Sequence, residues 1–212
     1  MSSPRVFLID DNPSYLRAAA RLLRLSGFEV KAYESARDFL DELTPTASGC
    51  VVTDLDMPQI DGIKLQEQLA VQSCLLPVIF LTGKGDIPTS VRVMRQGAED
   101  FLTKDASKEE LINAVHRAFA RNGKERRKQS GLSELRRKMA SLTPREHEVM
   151  QHVVQGKLNK QIAAELGIHE RTVKLHRNAV TTKLSVPSVA ELTVIWMQVH
   201  DFETDVSSLC LP

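Results

Sequence analysis

The chain has 212 residues, of which 42% are hydrophobic, enough for one large domain or two small ones and too many for a disordered chain. The formal net charge is only +1, but residues 1–120 carry 13 basic and 17 acidic side chains, whereas residues 121–200 carry 15 and 7. An acidic first half followed by a basic second half indicates a nucleic-acid partner for the second half.

The three cysteines, Cys50, Cys74 and Cys210, are too few and too scattered for a disulfide framework, and none has metal-ligand spacing. The first residues lack the basic region and long apolar region of a signal peptide. No apolar run approaches the ~18 residues that a membrane span needs. We therefore expect a soluble, cytoplasmic protein with no membrane partner.

Short runs rich in β-branched residues alternate with helical patterns through the first 121 residues. This alternation predicts an α/β fold with a five-stranded, doubly wound parallel sheet. The predicted strands cover residues 6–10, 30–33, 50–54, 77–82 and 100–104. The predicted helices cover residues 13–26, 35–43, 63–73, 87–96 and 107–121.

Side chains suited to phosphoryl chemistry lie at the carboxyl ends of the predicted strands. Asp10 and Asp11 end the first strand, Asp54 the third, Thr82 the fourth and Lys104 the fifth. Because the ligand crevice of an open parallel sheet lies beyond these ends, we expect these side chains to converge. Clustered carboxylates suit Mg²⁺, and a carboxylate can attack a phosphoryl donor when a metal and an ammonium offset the developing charge. Asp54 is the predicted nucleophile, Lys104 the ammonium, and Thr82 the hydroxyl that donates to the phosphoryl group.

Residues 122–141 are rich in Lys and Arg, and helical apolar spacing returns only from Leu132. We interpret this segment as a basic linker that ends in a short helix. A new helix should then begin at Thr143, because a threonine N-cap, a proline at N1 and a glutamate at N3 follow one another there. Further helices are predicted near residues 159–167, 170–184 and 188–199. A tight glycine turn before the helix at 170–184 predicts a small all-α helix-turn-helix domain over 142–200, followed by a tail over 201–212.

The helix predicted at 170–184 has one packing side and one free side. Val173, Val180 and Leu184 recur on the packing side. The free side suits a major groove, because Lys and Arg can bond guanine edges or phosphates and Asn can bond adenine bidentately. Lys160 and Lys183 are expected to contact phosphates. The candidate DNA-binding residues are Lys160, Thr172, Lys174, Leu175, Arg177, Asn178 and Lys183.

Four segments between residue 4 and about residue 121 resemble the receiver domain of two-component response regulators: VFLIDD at 6–11, VVTDLDMPQIDG at 51–62, FLTG at 80–83 and DFLTK at 100–104. The resemblance implies that residues 1–121 are a receiver and that a sensor histidine kinase phosphorylates Asp54. It also implies that Asp10, Asp11, Asp54 and the main chain of Asp56 hold Mg²⁺, and that Phe101 is the switch aromatic. Such a domain catalyses its own phosphoryl uptake and loss, so the chain is not expected to be a metabolic enzyme.

One position departs from the receiver pattern. The family usually has a proline after the lysine at the fifth strand end, but Lys104 is followed by Asp105. A cis peptide bond before a residue other than proline costs ~2.5 to 4 kcal/mol. We therefore expect a trans bond or a reshaped loop after Lys104.

Three segments of the second half, LTPRE at 142–146, NKQIA at 159–163 and RTVKLH at 171–176, resemble the LuxR-type helix-turn-helix. With the receiver, the whole chain is similar to the FixJ/NarL-type regulators. That similarity implies binding to promoter DNA, formation of a homodimer on phosphorylation, and RNA polymerase as a candidate partner. His169 occupies the usual place of a serine or threonine cap, and a histidine caps a helix more weakly.

Two other functions stay open. The first is a phosphate-independent DNA-binding regulator whose degenerate receiver serves protein–protein interaction, and Asp105 is its support. The second is a Mg²⁺-dependent phosphohydrolase, because Asp54-Leu55-Asp56 resembles the haloacid dehalogenase nucleophile motif. Met57-Pro58 departs from that motif, and no substrate-cap domain is evident.

Overall fold

A computed structural model describes residues 4–83 and 87–208. The chain divides into two compact units, Met1–Arg127 and Lys128–Pro212. The first unit contains the five predicted strands: β1 (Arg5–Ile9), β2 (Glu29–Tyr33), β3 (Gly49–Asp54), β4 (Val78–Thr82) and β5 (Asp100–Thr103). All neighbouring strands are parallel, in the order β2-β1-β3-β4-β5, so the predicted doubly wound sheet is confirmed.

Helices cover both faces of the sheet. They are α1 (Pro13–Leu25), α2 (Ala36–Glu42), α3 (Gly62–Val71), α4 (Ile87–Arg95) and α5 (Lys108–Ala140). Buried residues of α2, α3 and α4 pack with Phe7 and Val51 in one apolar layer. Buried residues of α1 and α5 pack with Leu8 and Val52 in the other. Neighbouring strand residues enter opposite layers, and the polar side chains of the predicted site lie where β1, β3, β4 and β5 end.

The helix α5 is longer than the sequence indicated. It was expected to end near Arg121 and to be followed by a linker over 122–141, but Lys108–Ala140 is one helix of 33 residues. Gly123 and Gly131 do not interrupt it, because a glycine inside a helix costs only about 1 kcal/mol and the surrounding Lys, Arg, Glu and Gln residues favour helix. In residues 127–131, all of which are exposed, the loss of apolar periodicity reflects helix without a packed face.

The second unit contains α6 (Pro144–Val154), α7 (Asn159–Leu166), α8 (Glu170–Leu184) and α9 (Val189–Ser208) around their own apolar core. The helix α6 begins at the predicted capping box: the Glu146 N–H donates to Thr143 Oγ1, and the Thr143 N–H donates to Glu146 Oε2. The turn before α8 contains Gly167 in the left-handed conformation, with φ of 63°. These helices confirm the predicted helix-turn-helix layout.

The last helix also extends further than expected. The sequence predicted a helix over 188–199 and a tail over 201–212, but α9 continues through Ser208. Residues 209–212 of the predicted tail lie outside the described residues. Within the described ranges, no helix combines the length and the apolarity that crossing a bilayer requires.

Candidate functional site

Three aspartates lie together at the carboxyl edge of the sheet. Asp10 and Asp11 follow β1, and Asp54 ends β3, the strand paired with β1. One carboxylate oxygen of each lies within 4.8 Å of the others. Asp10 and Asp54 are 1% and 6% exposed, whereas Asp11 is exposed. The predicted convergence of these three side chains is therefore present, with one of them open to solvent.

The Lys104 ammonium lies between two of these carboxylates. Its Nζ is 2.7 Å from Asp54 Oδ2, to which it donates a hydrogen bond, and 2.6 Å from Asp10 Oδ2, with which it forms an ion pair. The Lys104 N–H donates to the Thr82 carbonyl at 2.7 Å, which fixes the main chain beside the end of β4. The described residues contain no cis peptide bond, so the bond to Asp105 is trans, as expected. Asp105 therefore does not displace Lys104 from Asp54.

Burial and neighbouring charges have opposite effects on the pKa values of Asp10 and Lys104. Burial raises the pKa of Asp10, and the contact with Lys104 and the hydrogen bond from the Asn12 N–H only partly oppose the rise. Burial alone would lower the pKa of Lys104, but its contacts with Asp10 and Asp54 outweigh burial and raise it. Lys104 therefore keeps its proton and offsets the negative charge of its neighbours.

The cluster has the chemistry of a site for Mg²⁺. Its carboxylate oxygens are hard ligands, and the exposed Asp11 leaves a side of the cluster open to water, which Mg²⁺ keeps among its ligands. The main chain of Asp56 also lies beside the cluster, because its N–H donates to Asp54 Oδ1 at 3.4 Å. The residues present thus fit a magnesium ion held by Asp10, Asp11 and Asp54, with the main chain of Asp56 close by.

The other two predicted receiver residues lie on neighbouring strands. Thr82 ends β4 and is fully buried. Phe101 is partly buried against the apolar layer under α2, α3 and α4, and it pairs in register with Phe80. The structure therefore places Thr82 at the same sheet edge as Asp54, and Phe101 one strand further out.

One contact in this cluster was not predicted from the sequence. The Lys104 Nζ lies 4.6 Å from the centre of the Tyr15 ring, on α1. No pattern singles out a tyrosine at this position, because the contact depends on where the Lys104 side chain ends relative to the first turn of α1.

The helix α8 presents the predicted packed and free sides. Val173, Val180 and Leu184 are buried in the core of the second unit. Lys174, Leu175 and Asn178 are exposed, and Thr172 is partly exposed. The predicted recognition surface is thus available on this helix, and it includes an apolar side chain, Leu175, that is 62% exposed.

The remaining candidate DNA-binding cations differ in how far hydrogen bonds within the fold engage them. Lys160 is exposed near the start of α7. The Arg177 guanidinium donates to Asn159 Oδ1 at 2.8 Å, so it is partly engaged within the fold. The Lys183 ammonium donates to Glu146 Oε2 at 2.6 Å and to the Ser141 carbonyl at 3.3 Å. The structure thus gives Lys183 an internal role that the sequence did not indicate, because Glu146 lies on another helix.

The start of α8 lacks a side-chain cap. His169 occupies the N-cap position, and its side chain accepts no hydrogen bond from the first turn. A first-turn N–H group is therefore not satisfied by the His169 side chain, as it could be by a serine or threonine at this position.

Two protein-family models match the chain. Residues 6–116 match the response regulator receiver domain, and residues 140–196 match the bacterial regulatory proteins of the luxR family.

Curated relatives match over nearly the full length. The chain is 42% identical over 187 residues to nodulation protein W of Bradyrhizobium diazoefficiens, covering 88% of this chain and 82% of the relative. It is 39% identical over 187 residues to the transcriptional regulatory protein FixJ of Azorhizobium caulinodans, covering 88% and 89%.

Solved structures also match. The response regulator StyR is similar with a TM-score of 0.84 and 41% identity, covering 93% of this chain and 100% of that chain. Full-length FixJ from B. japonicum is similar with a TM-score of 0.56 and 34% identity, covering 94% and 98%.

Proposed function

Because the chain belongs to the response regulators that join a receiver domain to a LuxR-type DNA-binding domain, we propose that phosphorylation of Asp54 switches it as a transcription regulator. The observation that carries the proposal is the position of the Asp54 carboxylate. It lies at the carboxyl edge of the sheet, and the Lys104 ammonium is 2.7 Å from it. A sensor histidine kinase supplies the phosphoryl group in this proposal.

The phosphoryl transfer follows from the groups around Asp54. A carboxylate oxygen of Asp54 attacks the phosphorus of a phosphohistidine, an acyl phosphate bond forms, and the bond to the histidine nitrogen breaks. A bound Mg²⁺ would supply positive charge to the phosphoryl oxygens as this occurs. Asp10 and Asp11 are placed to hold that ion, and Lys104, which follows the carboxyl end of β5, offsets negative charge at the same edge of the sheet.

The acyl phosphate changes what the neighbouring side chains can bond. Lys104 can transfer its hydrogen bond from the Asp54 carboxylate to a phosphoryl oxygen while it keeps its ion pair with Asp10. Thr82, buried at the end of β4, can donate its hydroxyl to a phosphoryl oxygen, and this draws the end of β4 towards Asp54. In this proposal Phe101 turns further into the core as the end of β4 moves.

The DNA interface of the proposal is the exposed side of α8. Lys174 and Asn178 bond base edges or phosphates, and Lys160 and Arg177 contact phosphates from the start of α7 and from α8. Thr172 and Lys183 lie beside this surface, with Lys183 also held by Glu146. The exposed Leu175 offers an apolar contact to a thymine methyl group.

Dimerisation on phosphorylation completes the proposal. Two DNA-binding domains held together occupy two half-sites of a promoter, and affinity rises because the second contact becomes intramolecular. In this proposal the partners are the kinase, promoter DNA and a second copy of the chain, RNA polymerase is a candidate partner, and the compartment is the cytoplasm.

Intact mass spectrometry tests phosphorylation directly. We expect incubation with a small phosphoryl donor and Mg²⁺ to add one phosphoryl group to the wild-type chain and none to Asp54→Asn. Size-exclusion chromatography of the same samples should show a dimer only for the phosphorylated chain. An unmodified wild-type protein that remains folded and still binds DNA would instead support the phosphate-independent regulator.

Neither alternative gains support from the site. Asp105 was the ground for a degenerate receiver, but Lys104 contacts both Asp54 and Asp10 in its presence. The phosphohydrolase interpretation is wrong, because the matching family consists of transcriptional response regulators.

The DNA interface has its own test. We expect Lys174→Ala to lower affinity for promoter DNA and to reduce the dependence of binding on salt by about one counterion, because an exposed cation is lost from the interface. Lys64→Ala, an exposed lysine of α3 in the first unit, is the matched control. Equal binding of Lys174→Ala and wild type across several salt concentrations would remove Lys174 from the interface.

A further inference from the structure

The aromatic ring of Tyr15 contacts the charged end of Lys104. The Lys104 Nζ lies 4.6 Å from the ring centre, within the ~6 Å over which the face of an aromatic ring attracts a cation. Tyr15 is partly buried, and burial raises the pKa of its hydroxyl, so the ring stays neutral. Among the described residues, two carboxylates and one ring therefore lie around the Lys104 ammonium.

The position of the ring is fixed relative to Asp10. The Asn12 N–H donates to Asp10 Oδ1 at 2.9 Å, and Asn12 Oδ1 accepts from the Ser14 and Tyr15 N–H groups at 3.0 and 3.2 Å. Asn12 is thus both the cap of α1 and the link between Asp10 and the first turn of that helix. The Tyr15 side chain also packs against the apolar layer between α1, the sheet and α5.

The Lys104 side chain needs such support. A lysine carries its charge on a flexible four-carbon stem, and burial of the ammonium removes water that would otherwise solvate it. The hydrogen bond from the Lys104 N–H to the Thr82 carbonyl holds the main chain but does not direct the ammonium. The ring face replaces part of the lost solvation and leaves the ammonium's N–H groups available for the carboxylates.

We propose that Tyr15 is a positioning residue for phosphoryl transfer, holding the Lys104 ammonium against Asp54 and Asp10. The proposal rests on the proposed function, because it assigns Tyr15 a part in the chemistry at Asp54. Tyr15 does not contact the reacting atoms, and it acts through Lys104.

This role predicts two effects of opposite sign when the ring is removed. Phosphorylation slows, because the ammonium spends less time where charge develops on the phosphoryl group. Binding of Mg²⁺ tightens, because an ammonium at 2.6 and 2.7 Å from Asp10 and Asp54 competes with the metal for the same carboxylates. A variant that merely loosened the fold would weaken both.

The experiment compares Tyr15→Leu and Tyr15→Phe in the full chain. For Tyr15→Leu we expect the rate of phosphorylation by a small donor at saturating Mg²⁺ to fall, and the Mg²⁺ dissociation constant from titration calorimetry to fall as well. Each change should be roughly two- to fivefold, the factor that a partly exposed cation–π contact provides. Tyr15→Phe keeps the ring face and should match wild type in both measurements.

Leu22→Ala controls for lost packing. Leu22 lies two turns further along α1 and is partly buried in the same apolar layer, so its truncation lowers stability without removing the ring. We expect it to leave both the phosphorylation rate and Mg²⁺ affinity near the wild-type values.

The outcomes separate this proposal from the proposed function. Failure of the wild-type chain to accept phosphate overturns the proposed function, and the Mg²⁺ titrations of the four proteins still decide whether Tyr15 holds the ammonium. Unchanged Mg²⁺ affinity in Tyr15→Leu, weaker Mg²⁺ binding in that variant, or a Tyr15→Phe variant that behaves like Tyr15→Leu would each overturn the role of the ring.

Discussion

Gly49 lies where a side chain cannot be accommodated. It begins β3 with φ of +134°, and a Cβ atom built there would lie 1.8 Å from the Arg5 carbonyl oxygen. Its N–H donates to the buried Asn122 side chain at 3.0 Å. The start of β3 is thereby held between β1 and α5, and the other end of the same strand is Asp54.

We expect Gly49→Ala to destabilise the first unit by more than about 2 kcal/mol, because both the backbone conformation and the Arg5 main chain resist a Cβ atom. Gly27→Ala is the matched control: it also has positive φ, at +90°, but no atom lies within 4 Å of its Cβ. Its cost should be about 1 kcal/mol. Urea unfolding of both variants measures the difference, and equal costs would show that the contact with Arg5 relaxes freely.

Glu146 makes the stability of the second unit depend on pH. The hydrogen bond from Lys183, together with the bond from the Thr143 N–H, holds the pKa of Glu146 below its ordinary value of 4.5. Because the pKa of Glu146 is lower in the folded chain than in the unfolded chain, the ionised carboxylate stabilises the fold fully when the pH is above the ordinary pKa. This stabilisation is lost as the pH falls through the lower pKa of the folded state.

We therefore expect wild type to exceed Glu146→Gln in unfolding free energy by about 1 kcal/mol at pH 7, a modest value because the Lys183 side chain is 36% exposed. The difference should shrink as the pH falls below 4.5. Urea unfolding from pH 3 to pH 7 checks it, and a difference that does not vary with pH would contradict an ionic role for Glu146.

The sequence predicted the positions of individual side chains where a general geometric rule applies. The side chains of Asp10, Asp54 and Lys104 follow parallel strands, and such strand ends meet at one edge. The ring of Tyr15 and the ion pair of Glu146 with Lys183 follow no such rule. They depend on how helices pack beside their neighbours, and neither composition nor spacing specifies that packing.

Among the secondary-structure elements, α5 departs most from expectation. Sequence patterns located all five strands because apolar, β-branched runs are typical of buried strands. The same method failed at residue 121, because it detects helices by their packed face. Residues 127–131 are all exposed, so this part of α5 has no packed face to detect. The end of α9 was missed as well, beyond the last apolar spacing at Val199.

The exposed part of α5 allows a test of helix continuity. We expect Gly131→Ala to raise helix content and stability by about 0.5 to 1 kcal/mol, because a Cβ atom at Gly131 meets no atom within 4 Å and alanine favours helix. Gly131→Pro should lower helix content by breaking α5. Circular dichroism and thermal unfolding measure both, and variants with equal helix content would contradict a continuous helix in solution.

The whole molecule has separate apolar cores. Two layers flank the sheet in the first unit, and one core lies among the end of α5, α6, α7, α8 and α9 in the second. The division between the units falls within α5, after Arg127. Each unit therefore has the means to fold around its own buried side chains.

We expect limited trypsin digestion to cut first between Lys124 and Lys128, because Lys124, Arg127 and Lys128 are exposed where the division between the two units falls. Mass spectrometry should identify two fragments that match the two units, and each should keep cooperative thermal unfolding. A first cut at exposed arginines of α1 or α4, or fragments that unfold without a transition, would contradict independent folding.

Separate cores also have a consequence for genetics. Substitutions that truncate a core side chain, such as Phe39 or Ile162, should behave as null alleles for the unit that contains them. Substitutions at Asp54 or Lys174 should instead separate the functions of the two units. An Asp54 allele should keep only the weaker promoter binding of the unphosphorylated monomer, whereas a Lys174 allele that binds the promoter poorly should still accept the phosphoryl group.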